Sequence, residues 1–132
     1  MLQPIDITKD RLQAIDEKAG FHVERDSDGD VVVKDLFHMF VEPIADGKHI
    51  RMYALFGTKD SASMESKLAL ATRVNDGYVC PRAGVTERGR FVVEHYVNAD
   101  GGLTEENLVA STRFFSRSLL ALAAADTADV LS

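Results

Sequence analysis

The stretch that decides the fold runs Val31-Val32-Val33-Lys34-Asp35-Leu36-Phe37-His38-Met39-Phe40-Val41-Glu42, then turns at Asp46-Gly47 into Ile50-Arg51-Met52-Tyr53-Ala54-Leu55-Phe56. Both runs are rich in β-branched and aromatic residues, which suit a pleated, half-buried surface. Two such runs joined at Asp-Gly read as an antiparallel hairpin. In the first, one face carries Val31, Val33, Phe37, Met39 and Val41, and the other carries Val32, Leu36 and Phe40. In the second, Ile50, Met52, Ala54 and Phe56 oppose Tyr53 and Leu55. A sheet with one wet face alternates more cleanly than this. One side can take the chain's helices. The other calls for cover from a crossing helix, a second copy or a bound segment.

Outward from the hairpin the pattern is helix, strands, helix, strands, helix. Thr8 caps a helix predicted to run to Ala19, with an apolar stripe at Leu12, Ile15 and Ala19 and a stop at Gly20. Phe21 to Arg25 alternates as a strand and turns at Ser27-Asp28-Gly29-Asp30. A second helix spans Ala62 to Asn75, its apolar arc built from Met64, Leu68, Leu70, Ala71 and Val74. Tyr78 to Ala83 reads as a strand, and Pro81 places it at an edge or in an irregular position. Thr86-Glu87-Arg88-Gly89 turns the chain into a strand from Arg90 to Val97. The last helix starts at Thr104, with Glu105 and Glu106 in its positive first turn, and is predicted to reach Ala125. The expectation is an α+β fold of about five antiparallel strands and three helices, ordered α-β-β-β-α-β-β-α, in a single domain over residues 1–132.

Composition sets the outer bounds. The chain has 132 residues, 45% of them hydrophobic, and a net charge of −6. That is enough apolar content for one core. The acidic excess lies before residue 49 and argues against nucleic acid, although Arg73, Arg82, Arg88 and Arg90 fall close together in sequence. No apolar run in the sequence reads as a membrane span. The N-terminus lacks the basic and apolar regions of a signal peptide, and Cys80 is the sole cysteine, which fits a reducing cytoplasm.

No catalytic constellation stands out. The histidines are His22, His38, His49 and His95, with no metal-ligand spacing among them. His38 and Glu42 share a strand face but lie about 13 Å apart along it. His38 and His49 could meet across the hairpin as a paired metal site, but read more simply as strand-end histidines. Cys80 reads as a small buried hydrophobe rather than a nucleophile. Asp26-Ser27-Asp28-Gly29-Asp30 lacks the later bidentate Glu of a calcium loop and reads as a turn. Asp100-Gly101-Gly102 leads into a helix whose Glu105 and Glu106 would repel an anion.

The punctuation of the chain resembles that of the YbjN family of bacterial sensory transduction regulators. The resemblance is carried by Ala19-Gly20-Phe21, by Ser27-Asp28-Gly29-Asp30-Val31, and by Lys67 to Asn75 ending in Arg73-Val74-Asn75. It continues through Thr86-Glu87-Arg88-Gly89-Arg90-Phe91-Val92-Val93-Glu94 and the run from Asn98 to Leu108. It covers Gly20 to about Phe115. Asn75-Asp76-Gly77 and Tyr78-Val79-Cys80-Pro81-Arg82 depart from the family pattern. The resemblance implies a fold similar to type III secretion chaperones, small acidic proteins that often dimerise and hold extended protein segments. It supplies no catalytic residue.

The reading favoured is therefore a non-enzymatic protein-interaction module, a regulator or chaperone-like homodimer, with no cofactor or metal. The residues offered for its partner or dimer surface are Phe37, Met39, Met52, Tyr53, Phe114 and Leu120. The alternative is a small-ligand sensor with an apolar pocket between sheet and helix, near Tyr53, Tyr78 or Tyr96.

Overall fold

A computed structural model describes residues 1–77 and 81–132. The chain begins with a short 3-10 turn, Pro4–Asp6, followed by α1, Lys9–Lys18. The Thr8 hydroxyl caps α1 by accepting the Arg11 backbone N–H at 3.2 Å, and Asp10 and Lys18 sit at the ends the helix dipole favours. A meander follows: β1, His22–Arg25; β2, Val31–Lys34; β3, His38–Ile44; and β4, His49–Phe56. Next come α2, Met64–Gly77, then β5, Arg82–Val85, and β6, Phe91–Asn98. The chain closes with α3, Glu105–Leu120, and the single turn α4, Leu122–Ala125. Thr104 caps α3 by accepting the Asn107 N–H at 3.1 Å.

The fold is α+β, as the sequence predicts, but the antiparallel sheet has six strands in the order β1-β2-β3-β4-β6-β5. The sixth comes from the run Val31–Glu42, which is two strands rather than one. At Asp35 the backbone N–H donates to the Phe37 carbonyl at 3.2 Å and reverses the chain. The Asp35 carboxylate accepts the Ser116 hydroxyl of α3 at 2.8 Å and pins that turn to the helix layer. β5 is an edge strand, as Pro81 suggests. Tyr78 and Cys80 lie outside the described residues.

The sheet buries one face. Val31, Val33, Met39, Val41, Ile50, Met52, Ala54, Phe91, Val93 and Val97 form one cluster with Leu12 and Ile15 of α1, Leu70 and Val74 of α2, and Leu108, Phe115 and Leu119 of α3. Met39 and Met52 are fully buried there. Together α3 and α4 make a 21-residue stretch, Glu105–Ala125, that holds an 18-residue window of mean hydropathy 1.2, apolar enough by length and composition to cross a bilayer. The sequence reading had found no such run. Here it breaks at Ala121, and Leu108, Phe115 and Leu119 are buried in the core.

Gly47, between β3 and β4, has φ +82 and lies against the Pro4 carbonyl, so an added Cβ would fall 2.0 Å from that oxygen. Asp16 is fully buried on α1, and neither carboxylate oxygen has a hydrogen-bond partner among the described residues. Desolvation pushes its pKa up to about 7.

Candidate functional site

The opposite face of the sheet belongs to none of these contacts. The pairing register sets out one row across all six strands: Glu24, Val32, Phe40, Tyr53, Glu94 and Arg82. Beside it run Leu55, Val92 and Gly84 on one side and Glu42, Arg51 and Tyr96 on the other. Val32, Phe40, Tyr53, Leu55 and Val92 all lie outside the core cluster, and apart from Val32 they are half-buried. This face carries aromatic and aliphatic side chains at its centre, with no helix over them among the described residues.

Two groups of charged residues flank that centre. In the first, the Glu94 carboxylate accepts Arg51 Nε at 2.8 Å, both Arg82 Nε and the Arg82 terminal amine, and the Tyr96 hydroxyl at 3.3 Å. Arg51 also reaches Glu42 at 3.3 Å and stands 4.0 Å over the Tyr53 ring. Tyr53 in turn stacks on Phe40, with centroids 4.9 Å apart and planes within 12°. The chain of contacts Glu94–Arg51–Tyr53–Phe40 therefore links the charged group to the stacked rings. Burial works to raise the Glu94 pKa, but the bonds from Arg82 and Arg51 outweigh it and the net shift is downward. Burial, with the Glu42 charge, raises that of the Tyr53 hydroxyl.

In the second group, Glu24 takes Lys34 at 2.6 Å and His22 at 2.9 Å. These bonds, Lys34 first, hold its carboxyl down at about 2. Between this group and the rings lies an open dish of about 410 Å³, lined by Val32, Phe40 and Leu55, by the charged residues Glu24, Arg25, Asp26, Lys34 and Arg90, and by His38.

The residues proposed from sequence separate accordingly. Tyr53 lies on this face. Met39 and Met52 do not, because the apolar alternation was equally strong on both sides and theirs is the side the helices cover. Phe37 packs edge-on against Phe56 at 5.9 Å and touches the core. Phe114 and Leu120 are exposed on α3, in the helix layer. Sequence reasoning missed Val32, Phe40, Arg51, Leu55 and Glu94. Their period-two spacing with Tyr53 was the available signal.

The other candidates also resolve. The register pairs His49 with Ile44 and His38 with Lys34, at opposite ends of β3, so the two histidines do not meet. His95 faces inward between Phe114 and Phe115, and burial lowers its pKa. Asp26, Asp28 and Asp30 bring carboxylate oxygens within 4.8 Å of one another. Asp26 is engaged with the Asp28 and Asp30 backbone N–H groups, and Asp30 with Lys9 at 3.0 Å, as in a hairpin turn. Arg73 donates to the Ala125 carbonyl and Arg82 to Glu94, so the clustered arginines do not form one patch. Between sheet and helices, the space lined by Val74, Pro81, Val93, Ser118, Leu119 and Leu122 holds about 10 Å³, no more than one water.

The fold is similar to several solved structures. YbjN from E. coli matches with a TM-score of 0.76 at 15% identity, over 93% of this chain and 94% of that one. The HopA1–SchA chaperone–effector complex matches at 0.57 and 13%, over 87% and 89%. The Yersinia pestis type III secretion chaperone SycH, solved with a fragment of YscM2, matches at 0.54 and 12%, over 86% and 98%. At these identities the likeness is one of fold. No curated protein matches the chain. Residues 8–126 match the family model described as "Putative bacterial sensory transduction regulator", and the chain belongs to the YbjN family.

Proposed function

We propose that this protein is a non-enzymatic interaction module of the bacterial cytoplasm, a regulator or chaperone-like dimer that holds a segment of another protein on its uncovered sheet face. The observation that carries this is the asymmetry of the sheet. Four helices pack to one side, while Phe40, Tyr53 and Leu55 stand half-buried on the other with a charged network bracing them. A face of this composition is a cohesive surface without its counterpart. Family membership supports a regulatory role, and two of the fold's solved neighbours were captured with protein partners, HopA1 and a fragment of YscM2.

The test is affinity capture from the source cell with mass spectrometry. The wild type is compared with Phe40→Ala/Leu55→Ala on this face and with Phe114→Ala in the helix layer. The reading requires a discrete set of proteins retained by wild type and Phe114→Ala and lost from the double variant. Identical sets from all three would remove the sheet face as the site. Light scattering on the same proteins reads the dimer.

A further inference from the structure

Charge on the uncovered face points to the chemistry of what covers it, given the proposed function. The three Glu carboxylates there are already neutralised, Glu24 by Lys34, Glu42 by Arg51, and Glu94 by Arg51 and Arg82, and Asp26, which also lines the dish, accepts the backbone N–H groups of Asp28 and Asp30. Arg90 is different. It is exposed, lines the dish with Phe40 and Leu55, and its guanidinium has no ion-pair or hydrogen-bond partner among the described residues. His38 lines the same dish, likewise without a partner. With Arg25 and Asp26 of the dish included, the face holds five Arg and Lys residues against four Asp and Glu, on a chain whose net charge is −6. What is left unanswered beside the apolar centre is positive charge.

The backbone narrows the form of the partner. Phe40, Tyr53 and Leu55 lie on β3 and β4, inside the sheet, with both neighbours already paired. A segment laid on this face finds side chains and no free N–H or C=O groups. An extended strand would leave its own backbone unsatisfied there, whereas a helix satisfies its own. The edge strands, β1 and β5, are only four residues long each, and β1 carries His22, Glu24 and Arg25 while β5 carries Arg82, short charged edges that discourage strand addition. We infer that the face takes an acidic amphipathic helix from a partner protein, its apolar side on Val32, Phe40 and Leu55 and its carboxylates at Arg90.

The experiment is selection of a random-peptide display library on the intact protein. Fluorescence anisotropy of the enriched peptides then follows on wild type, Arg90→Glu, Phe40→Ala and Phe114→Ala, each checked for native circular dichroism. Enriched peptides are expected to carry Asp or Glu beside an apolar stripe. They should bind about tenfold more weakly to Arg90→Glu and to Phe40→Ala, bind Phe114→Ala unchanged, and weaken with salt. Basic or neutral peptides, or binding indifferent to Arg90→Glu, overturn the acidic helix and leave the interaction role standing. An empty selection overturns both. Self-association abolished by Phe40→Ala would make the occupant a second copy of this chain, and also overturns the inference.

Discussion

The carboxylate of Asp16 sits inside the protein, with no cation or donor among the described residues to hold its charge. Its pKa rises from an ordinary value near 3.8 to about 7 on folding. The folded state therefore holds a proton that the unfolded chain releases above pH 4. The associated stability is full at low pH and is lost as pH rises toward 7, at about 1.4 kcal/mol per pH unit. Urea denaturation of wild type and Asp16→Asn between pH 5 and pH 8 is expected to show this fall in the wild type and not in the variant. Glu94 works in the opposite sense. Its lowered pKa contributes stability above the ordinary carboxylate range, lost as pH falls. Glu94→Gln is expected to cost about 2 kcal/mol at pH 7 by denaturant titration, the full buried-pair value being discounted because Arg82 is largely exposed. Beside Glu17, Asp16 reads in sequence as part of a solvated helix face, and the structure buries it. Its inward position is set by the helix phase of Leu12 and Ile15, which the same stripe could have shown.

Among the elements, the helix caps and most strands were readable because their signals are local. Thr8 and Thr104 cap as their sequence positions suggest, and β4 and β6 follow their period-two runs. The break between β2 and β3 was not readable. No Gly or Pro marks it, and the residue that stabilises it, Ser116, lies 81 positions away. The face of the sheet was half legible for a related reason. Alternation showed two apolar sides, but only the packed helices show which side is the core. Tight turns give a further check. Gly47→Ala must accept a positive φ and a clash with the Pro4 carbonyl, whereas Gly29→Ala meets only the φ penalty, with nothing within 4 Å. Thermal melts are expected to place Gly47→Ala at least about 2 kcal/mol below wild type, and Gly29→Ala about 1 kcal/mol below.

At the scale of the whole molecule, the two sides of one strand differ in purpose. Met52 and Leu55, three residues apart on β4, face the core and the uncovered side. Met52→Asp buries a charge without a partner and is expected to cost more than about 4 kcal/mol, leaving the chain unfolded at 37 °C. Leu55→Asp is expected to stay folded, within about 1 kcal/mol of wild type, while losing the captured partner. Calorimetry and affinity capture on the same pair read the two outcomes.

The pairing of β4 with β6 joins residues 49–56 to residues 91–98, with α2 and β5 in between. During synthesis, the first four strands can therefore leave the ribosome and form their hairpins well before the central partner of β4 exists. Their inner face, with Met39, Val41 and Met52, has only Leu12 and Ile15 of α1 to cover it until α2 and then Phe115 and Leu119 of α3 arrive. For most of its birth the nascent protein displays two greasy surfaces rather than one, and only the last fifth of the chain decides which of them is sealed.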